Sequence, residues 1–223
     1  MKNELNMQKE LLTRLAGFDT CAISDALDAL EIKGVALGLS GLTVSRRIVG
    51  SAVTVQLGPI IQGGAPARHL GSAAVDSAGP GNIIVVANDG RTNVAGWGGL
   101  LSLGAHKRCV EGVVVDGAFR DVDEAKDIGF PIYARASVPV TARGRIVEHG
   151  WNVPIKMSGI DVEPGDLVIA DGSGVVFFPH ARAEEIISRA EVFSQRERSM
   201  ALSISNKEPI SKVMSKQYES LLK

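Results

Sequence analysis

The chain is short of aromatics, cysteines, net charge and long apolar runs, and each shortage removes a class of function. Aromatic residues make up 4% of the 223 positions, too few for the stacking platforms on which single-stranded nucleic acids lie. Lys and Arg number 24 against 25 Asp and Glu, for a net charge of −1, with no cluster of one sign. Neutralising a phosphate backbone needs clustered cations, so nucleic acid is not an expected partner. Cys21 and Cys109 are the two cysteines; they form no CxxC or Cys/His pattern, and two buried, reduced thiols are expected. No stretch reaches the roughly 18 apolar residues that cross a bilayer, and the opening Met1-Lys2-Asn3-Glu4 leads into a charged segment rather than an apolar signal. A membrane is therefore not an expected partner, and the cytoplasm is the expected location.

What is present is the material of a folded domain. Hydrophobic residues are 45% and charged residues 22%, and the length suits one domain. Leu5, Leu11, Leu12 and Leu15 recur at helical spacing before Gly17. A second helix is expected from Thr20 to about Leu30, capped by Asp19 or Thr20 and stopped by Lys33-Gly34. Ser51 to Leu57 has the pattern of a strand, a Gly/Pro-rich loop covers 58–66, and a helix is expected over Ala67 to Ser77.

The centre of the chain is more regular. Ile83 to Ala87 and Gly112 to Asp116 are short β-branched runs bounded by turn residues, with a predicted helix, Trp97 to Cys109, between them. This is a βαβ unit, whose strands should be parallel neighbours. A short helix from Asp121 to Gly129 and a strand from Pro131 to Arg135 follow, then a β-rich layer from Thr141 to Pro179 and a long helix from Arg182 to Ile204. Pro80-Gly81-Asn82 and Pro164-Gly165-Asp166 each precede a buried strand, an echo attributed to shared turn chemistry. Residues 1–204 form the expected α/β domain. Residues 205–223 form a helical tail whose Ile210, Val213, Met214, Tyr218 and Leu221 make an apolar stripe, suited to its own domain or to a second subunit.

The chemistry-bearing stretch is Gly96-Trp97-Gly98-Gly99-Leu100-Leu101, followed by Val115-Asp116-Gly117-Ala118-Phe119-Arg120-Asp121. Glycines opening a helix leave its first N–H groups free, a ready site for a carboxylate or phosphate. Ligands in open α/β sheets collect at the carboxyl ends of strands, which puts Arg120 and Asp121 in the same crevice. Arg offers a planar fork to a carboxylate or enolate oxygen. A single Asp with open coordination positions suits Mg²⁺, which keeps several waters and takes its remaining oxygens from substrate. Such a pair would stabilise the enolate of retro-aldol cleavage or β-decarboxylation. Plainer roles stay open: Asp121 as a helix cap boxed with Glu124, Arg120 as a surface ion-pair residue, the glycines as close-packing positions, Asp116 as a turn residue. The four histidines, His69, His106, His149 and His180, show no ligand spacing.

Taken in order, the Gly-Gly-Leu-Leu segment, the intervening helix and Val114-Val115-Asp116-Gly117-x-x-Arg120-Asp121 resemble the RraA-like family. That family includes 4-hydroxy-4-methyl-2-oxoglutarate aldolases, oxaloacetate decarboxylases and regulators of ribonuclease activity. The resemblance runs from about residue 10 to 200, through Thr20 to Leu27, Gly50 to Val55, Pro80 to Val86 and Pro164 to Pro179. It implies a three-layer swivelling β/β/α-type domain with a βαβ core, a β-rich layer and terminal helices, assembled as a homotrimer or homohexamer. It also implies Mg²⁺ or Mn²⁺ on Asp121, with Asp116 and Glu197 acting through water, Glu197 from a neighbouring protomer. Substrate would be held by Arg120 and by the backbone of Gly98, Gly99, Leu100 and Leu101. The aldolases of the family carry an acid where this chain has Gly99, and its loss leans the expectation slightly toward decarboxylation, which needs no base for a hydroxyl proton, or toward a sugar-acid substrate. The expected function is a lyase of 2-oxo acids, aldolase or decarboxylase, with Gln62 to Arg68 flanking the leaving group; the alternative is a non-catalytic protein that inhibits a ribonuclease.

Overall fold

Capping and apolar spacing set the first elements. The computed structural model describes residues 2–60 and 69–214. Helix α1 spans Lys2–Leu15, and α2 spans Thr20–Ala29. Asp19 caps α2 by accepting from the Ala22 N–H at 2.8 Å, pairing a donor that a helix start leaves free. α2 stops before Lys33-Gly34: Leu30 closes it, and Glu31 turns the chain at φ 54°.

Strands β1 (Val35–Ala36), β2 (Ser40–Gly41) and β3 (Ile48–Pro59) come next, then α3 (Ser72–Ser77). The helix expected from Ala67 is thus shorter. Residues 67 and 68, with the rest of the 62–68 loop, lie outside the described residues, and Gly71 sits in the left-handed region at φ 74° immediately before Ser72. Then follow β4 (Asn82–Ala95), α4 (Gly99–Lys107), β5 (Gly112–Phe119), α5 (Val122–Asp127) and β6 (Ile132–Ser137). The β-rich region supplies β7 (Ile146–Trp151), β8 (Ile155–Met157), β9 (Ile160–Val162), β10 (Leu167–Asp171) and β11 (Gly174–Phe178). α6 (Ala183–Ser205) and the short α7 (Ile210–Val213) finish the described chain. Ile210 and Met214 of the tail stripe are exposed; Tyr218 and Leu221 lie outside the described residues.

Among the described residues, the main sheet runs β1-β11-β10-β3-β4-β5-β6-β2, with β7 also on β3. β3, β4, β5 and β6 are parallel neighbours, so the predicted βαβ pairing of β4 with β5 is present. All eight residues of β5 are buried, the pattern of a central strand covered on both faces. The two echoing turns, with Gly81 at φ 76° and Gly165 at φ 90°, deliver β4 and β10 to opposite flanks of β3. One runs parallel to it and the other antiparallel, so shared turn chemistry accounts for the likeness.

Strand alternation sorts the side chains into layers. One face carries Val55, Ile84, Val86, Val113 and Val115 against Ala74, Ala105 and Ala125 of α3, α4 and α5. The opposite face carries Ile83, Val85, Ala87 and Val114 against Ile155, Met157 and Val162 of the β8-β9 hairpin. Leu167, Ile169, Val176 and Phe178 join α2 and α6 in a third cluster. Helices, main sheet and small β layer give the expected three-layer α/β arrangement, except that most of the β-rich segment joins the main sheet and only β8-β9 stands apart. The thiols correct an expectation. Cys21 and Cys109 are both exposed, because Ala22, Ile23, Ala26 and Leu27 take the inner face of α2 and Cys109 occupies a left-handed turn at φ 59° after α4.

Candidate functional site

β4 leaves its register with β5 after Ala87 and resumes it at Arg91 and Ala95, opposite Gly117 and Ala118. This late return brings Gly96-Trp97-Gly98 onto the end of β5. Gly96 N–H donates to Ala118 O at 2.8 Å, and Arg120 N–H donates to Trp97 O at 3.0 Å. Trp97 is buried and its indole N–H donates to Ser102 Oγ at 2.9 Å, while Ser102 Oγ donates to Gly98 O at 3.1 Å. The indole thereby ties the loop to the first turn of α4. The start of α4 and the Arg120-Asp121 pair are adjacent for this reason.

Asp121 occupies the N-cap position of α5 at φ 64° but makes no side-chain bond to that helix. Its carboxylate crosses to α4 instead, where Oδ2 accepts from the Gly99 N–H at 2.8 Å. Arg120 Nε donates to both carboxylate oxygens, at 3.2 and 3.1 Å. The capping box with Glu124 does not form. A Cβ placed on Gly99 would collide with Glu124 Oε2, and would lie 3.1 Å from both Asp121 Cβ and Glu124 Cδ. Gly98 is extended, at φ −157°, so it needs no left-handed freedom. It supplies room, since a Cβ there would come within 3.0 Å of Asp121 Oδ2 and 3.4 Å of Arg120 Cγ.

Asp121 has taken the first donor of α4, leaving the N–H groups of Leu100 and Leu101 without acceptors among the described residues. These are the donors a bound anion would use, reinforced by the positive end of the helix. The Arg120 side chain is 41% exposed and that of Asp121 25%, so both can meet a ligand. Arg120, Asp121, Glu124, Ser137 and Pro139 line a cavity of about 510 Å³. A larger cavity of about 1100 Å³ lies between α1 and β3, lined by residues such as Leu12, Arg47, Gly81 and Glu111. It has no ion pair bonded to a helix start as Arg120-Asp121 is to α4, and the smaller one is the better site on chemical grounds.

Two proposed contributors are not in this crevice. Asp116, with a side chain 6% exposed, is a face apart: Arg135 Nε donates to its Oδ1 at 2.5 Å, and the Ser158 N–H donates to its Oδ2 at 2.7 Å. Both oxygens are engaged on the β8-β9 side of the sheet, so the water-mediated cation role gives way to a structural one. The reason is strand alternation, which sends Asp116 to the side of Val114. Glu197 lines a separate cleft with Phe18, Asp19 and Arg47. Burial there, with Asp25 and Asp19 nearby, raises its pKa. Within one chain it does not meet Asp121. His149 Nε2 lies 2.9 Å from Pro59 O, and His106 packs edge-on to Phe130; neither faces the crevice lining.

Among the described residues no three His, Cys, Asp or Glu side chains are placed to hold a metal together. A cation here would have one or two carboxylates from protein and the rest from water and substrate. That donor set fits Mg²⁺ or Mn²⁺ better than a metal needing a complete protein cage.

Comparison with known proteins agrees with the fold. The RraA-like family model (Aldolase/RraA) matches residues 20–177. A protein of Halalkalibacterium halodurans, provisionally named 4-hydroxy-4-methyl-2-oxoglutarate aldolase, is 31% identical over 82% of this chain and 82% of its own length. Protein DlpA of Legionella pneumophila is 30% identical over 83% of this chain, but the match spans 30% of DlpA's length. Among solved structures, an uncharacterized protein of Pseudomonas syringae pv. tomato superposes with a TM-score of 0.83 at 31% identity, covering 93% of this chain and 98% of that one. RraAS2 of Streptomyces coelicolor, described as an unusual member of the RNase ES inhibitor RraA protein family, gives 0.76 at 27% identity over 85% and 94%. On sequence and on fold together, the chain belongs to the RraA-like family.

Proposed function

We propose that the chain is a divalent-cation-dependent carbon–carbon lyase of 2-oxo acids. Its reaction is aldol cleavage of 4-hydroxy-2-oxo acids, oxaloacetate decarboxylation, or both, through a pyruvate enolate. The observation that carries this is the Arg120-Asp121 pair, which lines one cavity and is bonded to the start of α4, next to the free N–H groups of Leu100 and Leu101. The two amides and the end of α4 would bind the substrate carboxylate, fixing the 2-oxo group beside Arg120. The Arg120 guanidinium would offset the negative charge that builds on the enolate oxygen. Asp121 would hold the cation, which supplies Lewis-acid polarisation of the 2-oxo group when bound. Asp121 is itself oriented by Gly99 N–H and Arg120 Nε, so the carboxylate is set before any ligand arrives. A homotrimer or homohexamer in the cytoplasm is part of the same proposal.

The test is pyruvate release from oxaloacetate and from 4-hydroxy-4-methyl-2-oxoglutarate, with Mg²⁺ or Mn²⁺ and with a chelator. Cation-dependent pyruvate release supports the proposal. Equal rates with and without chelator, or no release from either substrate, count against it. A second reading has one observation in its favour, the likeness to RraAS2: a non-catalytic protein that inhibits a ribonuclease. Inhibition of an RNase E-type enzyme by a chain that releases no pyruvate would select it.

A further inference from the structure

Asn88 is wholly buried, with 0% of its surface exposed, and its Oδ1 has no hydrogen-bond partner among the described residues. Strand alternation puts it on the face of Ile84 and Val86, among apolar side chains. An apolar residue of the same shape would avoid the cost of that unpaired oxygen, so stability alone does not account for the amide. Its neighbours do. Nδ2 donates to Val94 O at 3.4 Å, across the turn that Asp89 and Gly90 make at φ 49° and 69°. Asn88 O accepts from Arg91 Nη1 at 3.2 Å. A Cβ on Gly117 would lie 2.9 Å from Asn88 Nδ2, and one on Gly96 would lie 3.2 Å from it. The side chain is wedged between two glycines, and each leads into one half of the site. Gly96 precedes Trp97-Gly98 and α4; Gly117 precedes Arg120-Asp121.

We propose that Asn88 is a positioning residue of the site: its amide, in the room that Gly96 and Gly117 leave, fixes the spacing between the loop that starts α4 and the strand end that carries Arg120-Asp121. The inference rests on the lyase reading above. Asn88 acts through the two backbone bonds that join these segments, Gly96 N–H to Ala118 O and Arg120 N–H to Trp97 O. Both lie within a few residues of the wedge, so a change in its size or polarity is passed on to the contact of Gly99 with Asp121. A long hydrogen bond and an unpaired oxygen are what the fold gives up for that spacing.

Asn88→Leu keeps nearly the shape of the amide but neither its donor nor its unpaired oxygen, so it separates stability from placement. Its melting temperature should stay no more than about 3 °C below wild type, because the loss of one long hydrogen bond is offset by the loss of a buried unpaired acceptor. Its kcat for pyruvate release should fall about tenfold or more, as it does when catalytic groups are displaced, with KM changed by less than about threefold. The Trp97 indole N–H, bonded to Ser102 Oγ, gives a reading without turnover in ¹H–¹⁵N NMR spectra of the full chain. Asn88→Leu should shift that signal and speed its exchange with solvent, and Asn88→Ala, which empties the wedge, should do the same. Wild-type kcat in Asn88→Leu overturns the inference, as does an unmoved Trp97 signal. So does activity that falls only in step with melting temperature, or failure of both variants to fold, since either makes Asn88 a stability residue alone. No pyruvate release by the wild-type chain overturns the lyase reading instead, and the Trp97 signal then decides by itself whether Asn88 sets the loop.

Discussion

The Asp121 carboxylate does not cap the helix it precedes but accepts from the Gly99 N–H, 22 residues earlier in the chain, at 2.8 Å. One residue therefore locks two helix starts together and presents its remaining lone pairs to the cavity. Its two duties are separable. Asparagine keeps an oxygen that can accept from Gly99 N–H but loses the charge. Asp121→Asn should stay folded, with stability within about 1 kcal/mol of wild type, and lose at least about 100-fold of cation-dependent turnover. Asp121→Ala should lose the same activity and about 1 kcal/mol more stability, because the cap goes too. Urea denaturation and pyruvate release measure the two effects independently; undiminished turnover in Asp121→Asn would remove Asp121 from the chemistry.

Arg120 spends its Nε on Asp121, so its terminal nitrogens are what a substrate would meet. Lysine preserves charge and loses the planar fork. Arg120→Lys should cut kcat/KM by about 10- to 100-fold, an amount typical of a lost charged hydrogen bond, with melting temperature nearly unchanged. Wild-type kinetics would place Arg120 outside the site.

Gly98 offers a purely steric test. Its backbone is extended, so alanine fits the chain without strain, but the added Cβ presses on Asp121 Oδ2 and Arg120 Cγ at 3.0 and 3.4 Å. Gly98→Ala should reduce turnover by about tenfold or more, as small displacements of positioned groups do, while costing at most about 1 kcal/mol in denaturation. A variant as active as wild type would show that the Arg120-Asp121 geometry is not critical.

Asp116 should behave in the opposite way. Removing one partner of a well-buried ion pair strands the other, although Arg135 keeps a side chain 28% exposed. Asp116→Asn should therefore cost about 1–3 kcal/mol of stability, the range for a hydrogen-bonded buried polar group, and leave Mn²⁺ affinity within about twofold. A tenfold loss of Mn²⁺ affinity with intact stability would return Asp116 to the cation site.

Asp171 links the start of α2 to β10, accepting from the Thr20 N–H at 2.8 Å and from Thr20 Oγ1 at 2.7 Å. Burial alone would raise its pKa, but the Thr20 and Ser173 hydrogen bonds and the charge of Arg47 outweigh it, so the net shift is downward. A carboxylate with a depressed folded pKa stabilises above its unfolded value of about 3.9 and loses that contribution as pH falls through the folded value. Asp171→Asn should cost about 1–2 kcal/mol at pH 7 and narrow its gap to wild type as the pH falls below the ordinary carboxylate value of about 3.9. Urea midpoints at the two pH values check this; a gap that widens in acid would reverse the assignment.

How much of this was legible from residue order depends on how local each determinant is. The helix starting at Thr20, the buried runs Ile83 to Ala87 and Gly112 to Asp116, and their parallel pairing follow from periodicity, turn residues and caps, interactions that span a few positions along the chain. The segments of the site were legible too, because glycines before a helix and an Arg-Asp pair after a strand have chemical meaning wherever they occur.

What lay beyond that reach was the direction of individual side chains. Asp116 and Asp121 are five residues apart in one sequence motif, yet one turns to the β8-β9 layer and the other to α4. Glu124 was legible as a capping partner and is instead an exposed side chain whose Oε2 lies where residue 99 has no Cβ. The order of residues alone determined the domain type, the βαβ core and the candidate segments, because these rest on short-range patterns of polarity and backbone preference. Only the tertiary structure decided which carboxylates share the cavity, because that follows from strand register and from volume left open by a distant glycine, and neither quantity is written in any local stretch of chain.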